Sequence, residues 1–436
     1  MDKYQTYPEY KDSGVEWLGE VPNHWKIKRL SHFFVERREK VSDKDYPALS
    51  VTMKGIVPQL DNAAKTEAGD NRKLVLKNDF VINSRSDRKG SSGVSTLDGS
   101  VSLISIVMTP RTIVPRFAHH LLRSYPFQEE FYRYGKGIAA DLWSTNSSEM
   151  KNILLPEIPD DEAQQIANFL DYETTKIDTL IDKQQQLIKL LKEKRQAVIS
   201  HTITKGLDPN APMRDSGIEW LGELPEKWAI SKFNYEIDFL EGPGILAYDF
   251  YEEGIPLLRI QNVKERFVTD NYKTYLSPSK VLSRWNHFRV KLGDLIISCS
   301  ASMGLVSEVD ERSVGAIPYT GLIRLRPNSE FICKEFICFI VQSDMFFEQI
   351  NLLQTGSTMQ HFGPYHLQQI YITLPTLEEQ KILTAHIKRT VSDIDRLLSK
   401  VNQTVDLMQE RCTALISAAV TGKIDLRNWR PPQPEK

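Results

Sequence analysis

Asp12 to Trp25 read DSGVEWLGEVPNHW, and Asp215 to Trp228 read DSGIEWLGELPEKW. Ten of the fourteen positions are identical, and Val15/Ile218 and Val21/Leu224 exchange only aliphatics. The copies lie 203 residues apart in a chain of 436. Solenoid repeats recur every 20 to 50 residues or so, so this spacing announces two large equivalent halves. Each half is long enough to bury a core of its own.

Working outward, each copy is followed by a mixed segment and then by a long run without Gly or Pro. In the first half, strand-like runs occur at Tyr46–Val51, Leu74–Asn83 and Val101–Met108, separated by turns such as Asp61-Asn62 and Asp98-Gly99. Pro115–Tyr134 reads as a helix, with Pro126 predicting a kink or two short helices. In the second half, strand candidates are Ile255–Ile260, Asp294–Ser298 and Gly321–Leu325, with a helix over Phe331–Gln349.

From Glu162 to Thr204, and again from Thr376 to Thr421, there is neither Gly nor Pro. Gly206 and Gly422 follow these runs, as helix ends require. About 43 residues at 1.5 Å each predict a rod of roughly 65 Å. Ile387, Val391, Ile394, Leu398, Val401, Val405, Met408, Cys412, Leu415 and Ala419 step by four and three, the seam of a coiled coil. The first run carries Ile177, Ile181, Gln184, Ile188, Leu191, Arg195, Val198 and Thr202 in the same pattern. Two such seams most simply bury each other. Gln184 and Arg195 are either register-setting polar positions or side chains that snorkel to solvent.

The helix starts Pro159 to Ile166 (PDDEAQQI) and Pro375 to Ile382 (PTLEEQKI) align proline on proline, which sets Ala163 opposite Glu379. Lys176-Ile177-Asp178 corresponds to Asp393-Ile394-Asp395, and Thr204–Asp208 (TKGLD) to Thr421–Asp425 (TGKID). The resulting fold class is α+β, with two globular domains joined by two long coiled-coil helices in a pseudo-twofold, circular arrangement. The expected boundaries are an N-terminal segment 1–25, domain 26–156, helix 157–206, linker 207–228, domain 229–374, helix 375–426 and tail 427–436. If the halves are so related, Leu426 should lie beside the Asp12 segment. Trp17 and Trp220 would then be packing anchors.

The net charge of −2 conceals an uneven distribution. Lys26–Ile153 holds 21 basic and 14 acidic residues, while Ala229–Tyr371 holds 13 and 16. Net charge alone does not point to nucleic acid. No apolar run reaches the roughly 18 residues of a membrane helix, and the polar start MDKYQTYPEYKD lacks a signal-peptide pattern, so the sequence reads as cytoplasmic. Cys299, Cys333, Cys338 and Cys412 form no metal or disulfide pattern and read as core residues.

Catalytic signatures are missing. Thr421-Gly422-Lys423 lacks the upstream glycine of a phosphate loop, where Ser417 stands. Gly242-Pro243-Gly244-Ile245-Leu246-Ala247 resembles a dinucleotide turn but leads into no helix pattern. The His residues show no metal spacing, and His119-His120 read as surface or packing residues. No catalytic residue, bound cofactor or metal is expected.

The duplicated DSGxEWLGExPxxW stretch, the starts of the long helices and the two dissimilar segments between them resemble the specificity (S) subunit of type I restriction–modification enzymes. The resemblance covers essentially the whole chain. It implies two target-recognition domains that each read half of a bipartite double-stranded DNA site. It also implies that the two long coiled-coil helices pack antiparallel and recruit two modification (M) subunits. S-adenosylmethionine would belong to the M partner, and ATP and Mg to restriction (R) subunits. The rival reading is a coiled-coil scaffold whose domains bind proteins.

Candidate DNA-binding residues follow the matching strands Leu76–Asn83 and Leu292–Ser298. They are Ser84, Arg85, Arg88, Lys89 and Ser91 in the first half, and Ser300 and Ser302 in the second. Hydroxyls and arginines there suit phosphates and base edges. Arg259, Gln261 and Asn262 end another strand with groups that fit guanine and adenine edges. Lys136 and the loop carrying Ser357 and Gln360 complete the set.

Overall fold

The computed structural model describes residues 4–60, 69–137, 143–218, 220–299, 305–353 and 362–432. The chain divides into two compact units, one of residues 1–185 and 402–436 and one of residues 186–401. Each long helix passes through both.

The repeated stretch folds identically in the two units. Tyr10–Asp12 pairs antiparallel with Glu20–Pro22, and Met213–Asp215 with Glu223–Pro225. Asp12 Oδ1 accepts from the Gly14 N–H at 2.9 Å, and Asp215 Oδ1 from the Gly217 N–H at 2.9 Å. Gly19 and Gly222 take φ of 61° and 62°, where their amides reach back to the carbonyls of Val15 and Ile218. Side chains disfavour that left-handed turn, which accounts for the glycine of both EWLGE copies.

In unit 1, Lys26–Arg29 pairs with Leu154–Glu157, framing the domain between them. Its main sheet is antiparallel, in the order Ser92–Val94, Phe80–Asn83, Ser105–Pro110, Phe34–Glu36. Alternation along these strands divides the core. Phe80, Ile82 and Met108 join the main cluster with Phe117, Leu121, Phe127 and Phe131. Val81 and Val107 face a smaller cluster with Leu49, Ile56, Val75 and Val101.

Unit 2 repeats the frame with Ala229–Lys232 paired to Tyr371–Leu374. Its sheet runs Ile237–Glu241, Leu322–Pro327, Leu295–Ser298, Val306–Glu308, Arg266–Phe267, the last strand parallel to its neighbour. Ile255–Leu258 pairs with Tyr275–Leu276 and, in parallel, with Ile317–Pro318.

The helix expected over Phe331–Gln349 is two, Lys334–Ile340 and Asp344–Leu353. The first domain has the matching pair Pro115–Leu121 and Tyr125–Arg133. The break is a serine in both. Ser124 Oγ donates to the Leu121 carbonyl at 2.7 Å and accepts from the Phe127 N–H at 3.4 Å. Ser343 Oγ does the same with Ile340 and Phe346 at 2.6 and 3.4 Å. Pro126 sits in the first turn of the second helix, where its missing N–H costs nothing. The run Leu74–Asn83 is likewise two strands, split where Asn78 turns at φ 75°.

The long helices are Asp160–Lys205 (46 residues) and Leu377–Val420 (44 residues). In unit 1 the start of the first and the end of the second share one core, through Ile166, Leu170, Leu415 and Ala419. In unit 2 the end of the first and the start of the second do so, through Ile199, Ile203, Leu383 and Ile387. They therefore run antiparallel. All ten expected seam positions of the second helix are buried or half-buried. Arg195 Nε meets Asp395 Oδ1 at 3.0 Å, so it makes a cross-helix ion pair rather than pointing to solvent.

Two expectations need correction. The proline-on-proline alignment of the helix starts is one residue out of register. Trp25 Nε1 donates to Glu162 Oε1 at 2.9 Å and Trp228 Nε1 to Glu379 Oε1 at 2.9 Å, which makes Glu162 the equivalent of Glu379. One spacing then serves the whole length of both helices, and neither start departs from the other. The cysteines are not all core. Only Cys299 is buried; Cys333, Cys338 and Cys412 are half-buried at the edges, with burial pushing the Cys338 thiol up to about 11.

The two ends of the chain meet within unit 1. The Asp425 N–H donates to the Gln5 carbonyl at 2.8 Å, and Lys423 Nζ to the Glu20 carbonyl at 2.7 Å. Leu426 is buried with Leu18, Val21 and Trp25. In unit 2, Lys205 makes the matching bond to the Glu223 carbonyl. Gly422 ends the second helix at φ 74°, and a Cβ there would collide with the Pro22 ring. Gly422→Ala should therefore destabilise unit 1 by about 2 kcal/mol or more, combining left-handed strain with the clash. Gly14, at φ 69° with open space around it, should bear only the strain, about 1 kcal/mol. Thermal melts of the two variants check the difference; equal shifts would remove the Pro22 contact as a cause.

Candidate nucleic-acid interface

In unit 1 the segment after Phe80–Asn83 forms a 3-10 turn over Ser86–Arg88. Arg85 and Lys136 both bridge to Ser144 through their backbones, so the fold brings these separate stretches together. Arg85 is exposed and has no ion pair among the described residues. Arg88 is exposed beside Asp87. Lys89 is paired with Glu129, and Lys136 with Glu149 at 2.8 Å. A cleft of about 530 Å³ opens beside the turn, lined by Trp17, Lys89, Glu129, Tyr132, Arg133 and Trp143 among others. Ser84 and Ser91 are buried, at 8% and 7% exposure, and Ser84 Oγ accepts from Ser144 Oγ at 2.9 Å. These two serines hold the turn from beneath and are not contact residues, a correction to the expectation.

In unit 2, Gln261 is exposed and Arg259 half-buried. Asn262 is fully buried. Its amide donates to the carbonyls of Thr269 and Asn271, at 3.1 Å each, and its Oδ1 accepts from the Arg259 N–H at 3.0 Å. That side chain is spent inside the domain, so it is withdrawn as a base contact. Ser300, Ser302, Ser357 and Gln360 lie outside the described residues.

Three features escaped sequence reading. Arg259 packs in the corner of two rings that meet edge-on, with its Cζ 4.9 Å from the Phe250 ring centre and 5.4 Å from that of Tyr319. A buried carboxylate supports the strand before each candidate turn. Asp79 binds Arg37 Nε at 2.7 Å and the Leu76 N–H at 2.9 Å, and Asp294 binds Arg326 and the Lys291 N–H. The partner arginines come from different strands, which hides the equivalence from alignment. Third, His119 is no ordinary surface residue. Its Nδ1 accepts from the Val94 N–H at 3.2 Å, and its Nε2 faces the Arg123 guanidinium at 2.7 Å. Burial, with the charge of Arg123, pushes it down to about 3.

Among the described residues no group of three or more His, Cys, Asp or Glu is placed to hold a metal ion. No single helix there is long and apolar enough to cross a membrane.

Two like-built units, each holding a different domain framed by the same hairpin and by segments of both long helices, make up the chain. The model of the family described as "Type I restriction modification DNA specificity domain" matches residues 259–406. The MjaVIII specificity subunit of a type I restriction enzyme from Methanocaldococcus jannaschii is 24% identical over 426 residues, covering 94% of this chain and 95% of that protein. The EcoKI specificity subunit of Escherichia coli K12 is 21% identical over 339 residues, covering 76% and 70%. A chain from a solved type I restriction–modification system superposes with a TM-score of 0.69 at 16% identity, covering 93% and 99%. The HsdS subunit of Thermoanaerobacter tengcongensis gives a TM-score of 0.50 at 17% identity, covering 93% and 98%. Residues 259–406 thus match the type I specificity domain, and the chain is similar to type I specificity subunits over nearly its whole length.

Proposed function

We propose that this chain binds double-stranded DNA at a two-part target and sets the sequence at which partner subunits act. The observation that carries this is the invariant frame around variable inserts. Matching frame elements stand 203 residues apart before the domains and 217 after them, so the second insert is 14 residues longer. A frame held constant around different surfaces is what reading two different half-sites demands.

The chain carries no chemistry of its own in this reading. The two long helices recruit two modification subunits, which use S-adenosylmethionine to methylate adenine, and restriction subunits bring ATP and Mg. A protein-binding scaffold would share the frame, but the specificity-domain match across residues 259–406 favours DNA.

The test is to map N6-methyladenine in cells carrying this chain and its methyltransferase partner. A gapped two-part motif should appear, and exchanging residues 229–374 should change one part only. Methylation indifferent to that exchange would sink the proposal. Arg85, exposed and unpaired, is the phosphate contact of the first domain. Arg85→Ala should weaken binding at every sequence and reduce the slope of log K against log salt by about 1. An unchanged slope in a salt titration would remove Arg85 from the interface.

A further inference from the structure

The second domain holds an arginine that the fold does not use. Arg259 leaves the strand Ile255–Leu258 and precedes the 3-10 turn Ile260–Asn262. Its Nε is buried without a hydrogen-bond partner, and among the described residues its guanidinium has no carboxylate. By contrast, Arg324 and Arg326 of this domain are neutralised, by Asp238 at 2.7 Å and by Asp294. Arg259 instead lies against the rings of Phe250 and Tyr319, which meet each other edge-on at 6.0 Å.

That clamp is braced from behind. The Tyr319 hydroxyl donates to the Ile245 carbonyl at 3.2 Å. Gly242 packs so closely on Pro318 and Tyr319 that a Cβ would strike their carbonyl oxygens. Asn262 holds the Arg259 backbone amide and is itself tied to Thr269 and Asn271. Ordering an arginine side chain ordinarily costs up to about 2 kcal/mol of rotamer freedom. Here folding has already met that cost, with the guanidinium plane set by cation–π contact. The exposed side chains of Gln261 and Ile260 flank it.

A planar, uncompensated pair of donors held in one orientation matches an acceptor pair in one plane, which guanine offers at O6 and N7 in the major groove. We propose that Arg259 is the guanine-reading residue of the second domain. The proposal rests on the DNA reading above and adds the base and the side chain. Among the described residues, the first domain has nothing equivalent at this place. Its parallel Ala48–Ser100 bridge corresponds to the Leu257–Ile317 pairing, which sets Ser50 and Ser102 where Arg259 and Tyr319 stand. The guanine requirement therefore travels with residues 229–374.

The experiment uses the full chain co-expressed with its methyltransferase partner, acting on a DNA library randomised at both half-sites. The wild type should require G·C at a position of the half-site read by the second domain. Arg259→Ala and Arg259→Lys should each relax that position about 10- to 100-fold, leaving the other half-site intact as an internal control of folding. Phe250→Leu should relax the same position less. An unchanged preference would overturn the proposal. So would uniform weakening at all sequences with a smaller salt slope, the mark of a phosphate contact. Loss of both half-sites in both Arg259 variants would assign the residue to folding and overturn it too. A wild type that yields no two-part motif would instead overturn the function proposed above.

Discussion

Trp25→Ala should lower the stability of unit 1 by about 3–5 kcal/mol, the range for emptying a buried aromatic site. Trp25 is 0% exposed. Its ring packs edge-on to Tyr7 at 6.1 Å and lies against Gly422 at the end of the second long helix. Its indole N–H is one of three groups on the buried Glu162 carboxylate, with the Tyr7 hydroxyl at 2.6 Å and His24 Nε2 at 2.7 Å. Removing the ring opens a cavity and also withdraws a donor from a carboxylate that cannot reach water, and the two losses compound. Because Gln5–Asp425 and Glu20–Lys423 join the chain ends at the same place, the damage should reach the end of the second helix as well. Denaturant unfolding of Trp25→Ala, with Trp25→Phe as the variant that restores most of the volume, measures it. Trp228→Ala should act in parallel on unit 2. A loss below about 1 kcal/mol would mean that the joint relaxes around the hole and is not the rigid element described here.

The second large effect is a pH dependence carried by His119. The imidazole is driven from its ordinary value near 6.5 down to about 3, by burial first and by the Arg123 and His120 charges next. A depressed value means that the unfolded chain takes up the proton first, so folded stability falls as acidity rises. The stability is fully present above pH 6.5 and is lost progressively as the pH falls toward 3. Between pH 7 and 5 this should amount to about 2 kcal/mol. That window stands above the carboxylates. Glu36, which burial would raise but which hydrogen bonds from Arg38, Lys151 and Ser147 bring down to about 2, contributes only at lower pH. The consequence is local to the seat of the first domain, because Arg123 also binds the Met53 carbonyl at 2.6 Å and faces Asp178 and Cys412 of the long helices. His119→Gln keeps an acceptor for the Val94 N–H and should flatten the melting temperature across pH 7 to 5. Parallel pH profiles for the two proteins would discard His119 as the cause.

The same position shows where sequence reading reached its limit. His119 corresponds to Cys338 and Arg123 to Gln342 in the second helix pair. The arginine whose charge Asp178 feels in one unit is Arg123, whereas the matching Asp395 of the other is ion-paired by Arg195 at 3.0 Å. No local pattern signals that exchange, because it depends on which side chain the fold delivers to Asp178 or Asp395. The candidate DNA residues divide in the same way. Ser84, Ser91 and Asn262 have the chemistry of base readers and are spent on internal hydrogen bonds or burial, whereas Arg85 and Arg259 keep theirs.

What the sequence by itself determined is whatever repeats or has a period. The duplication is legible because ten of fourteen positions recur, whereas the hairpin, its Asx turns and its left-handed glycines emerged only in the structure. The long helices are legible because 43 residues without Gly or Pro and a four–three stripe admit little else. That the two seams bury each other is the simplest reading of two such stripes in one chain; their antiparallel direction shows in the shared cores. Only the tertiary structure decided that Trp25 and Trp228 are the buried anchors while Trp17 and Trp220 are half-buried, that Glu162 answers Glu379, and that Arg259 is held against two rings. Each of these depends on contacts between residues far apart in the chain, where burial and hydrogen-bond partners are set by what arrives from elsewhere in the fold.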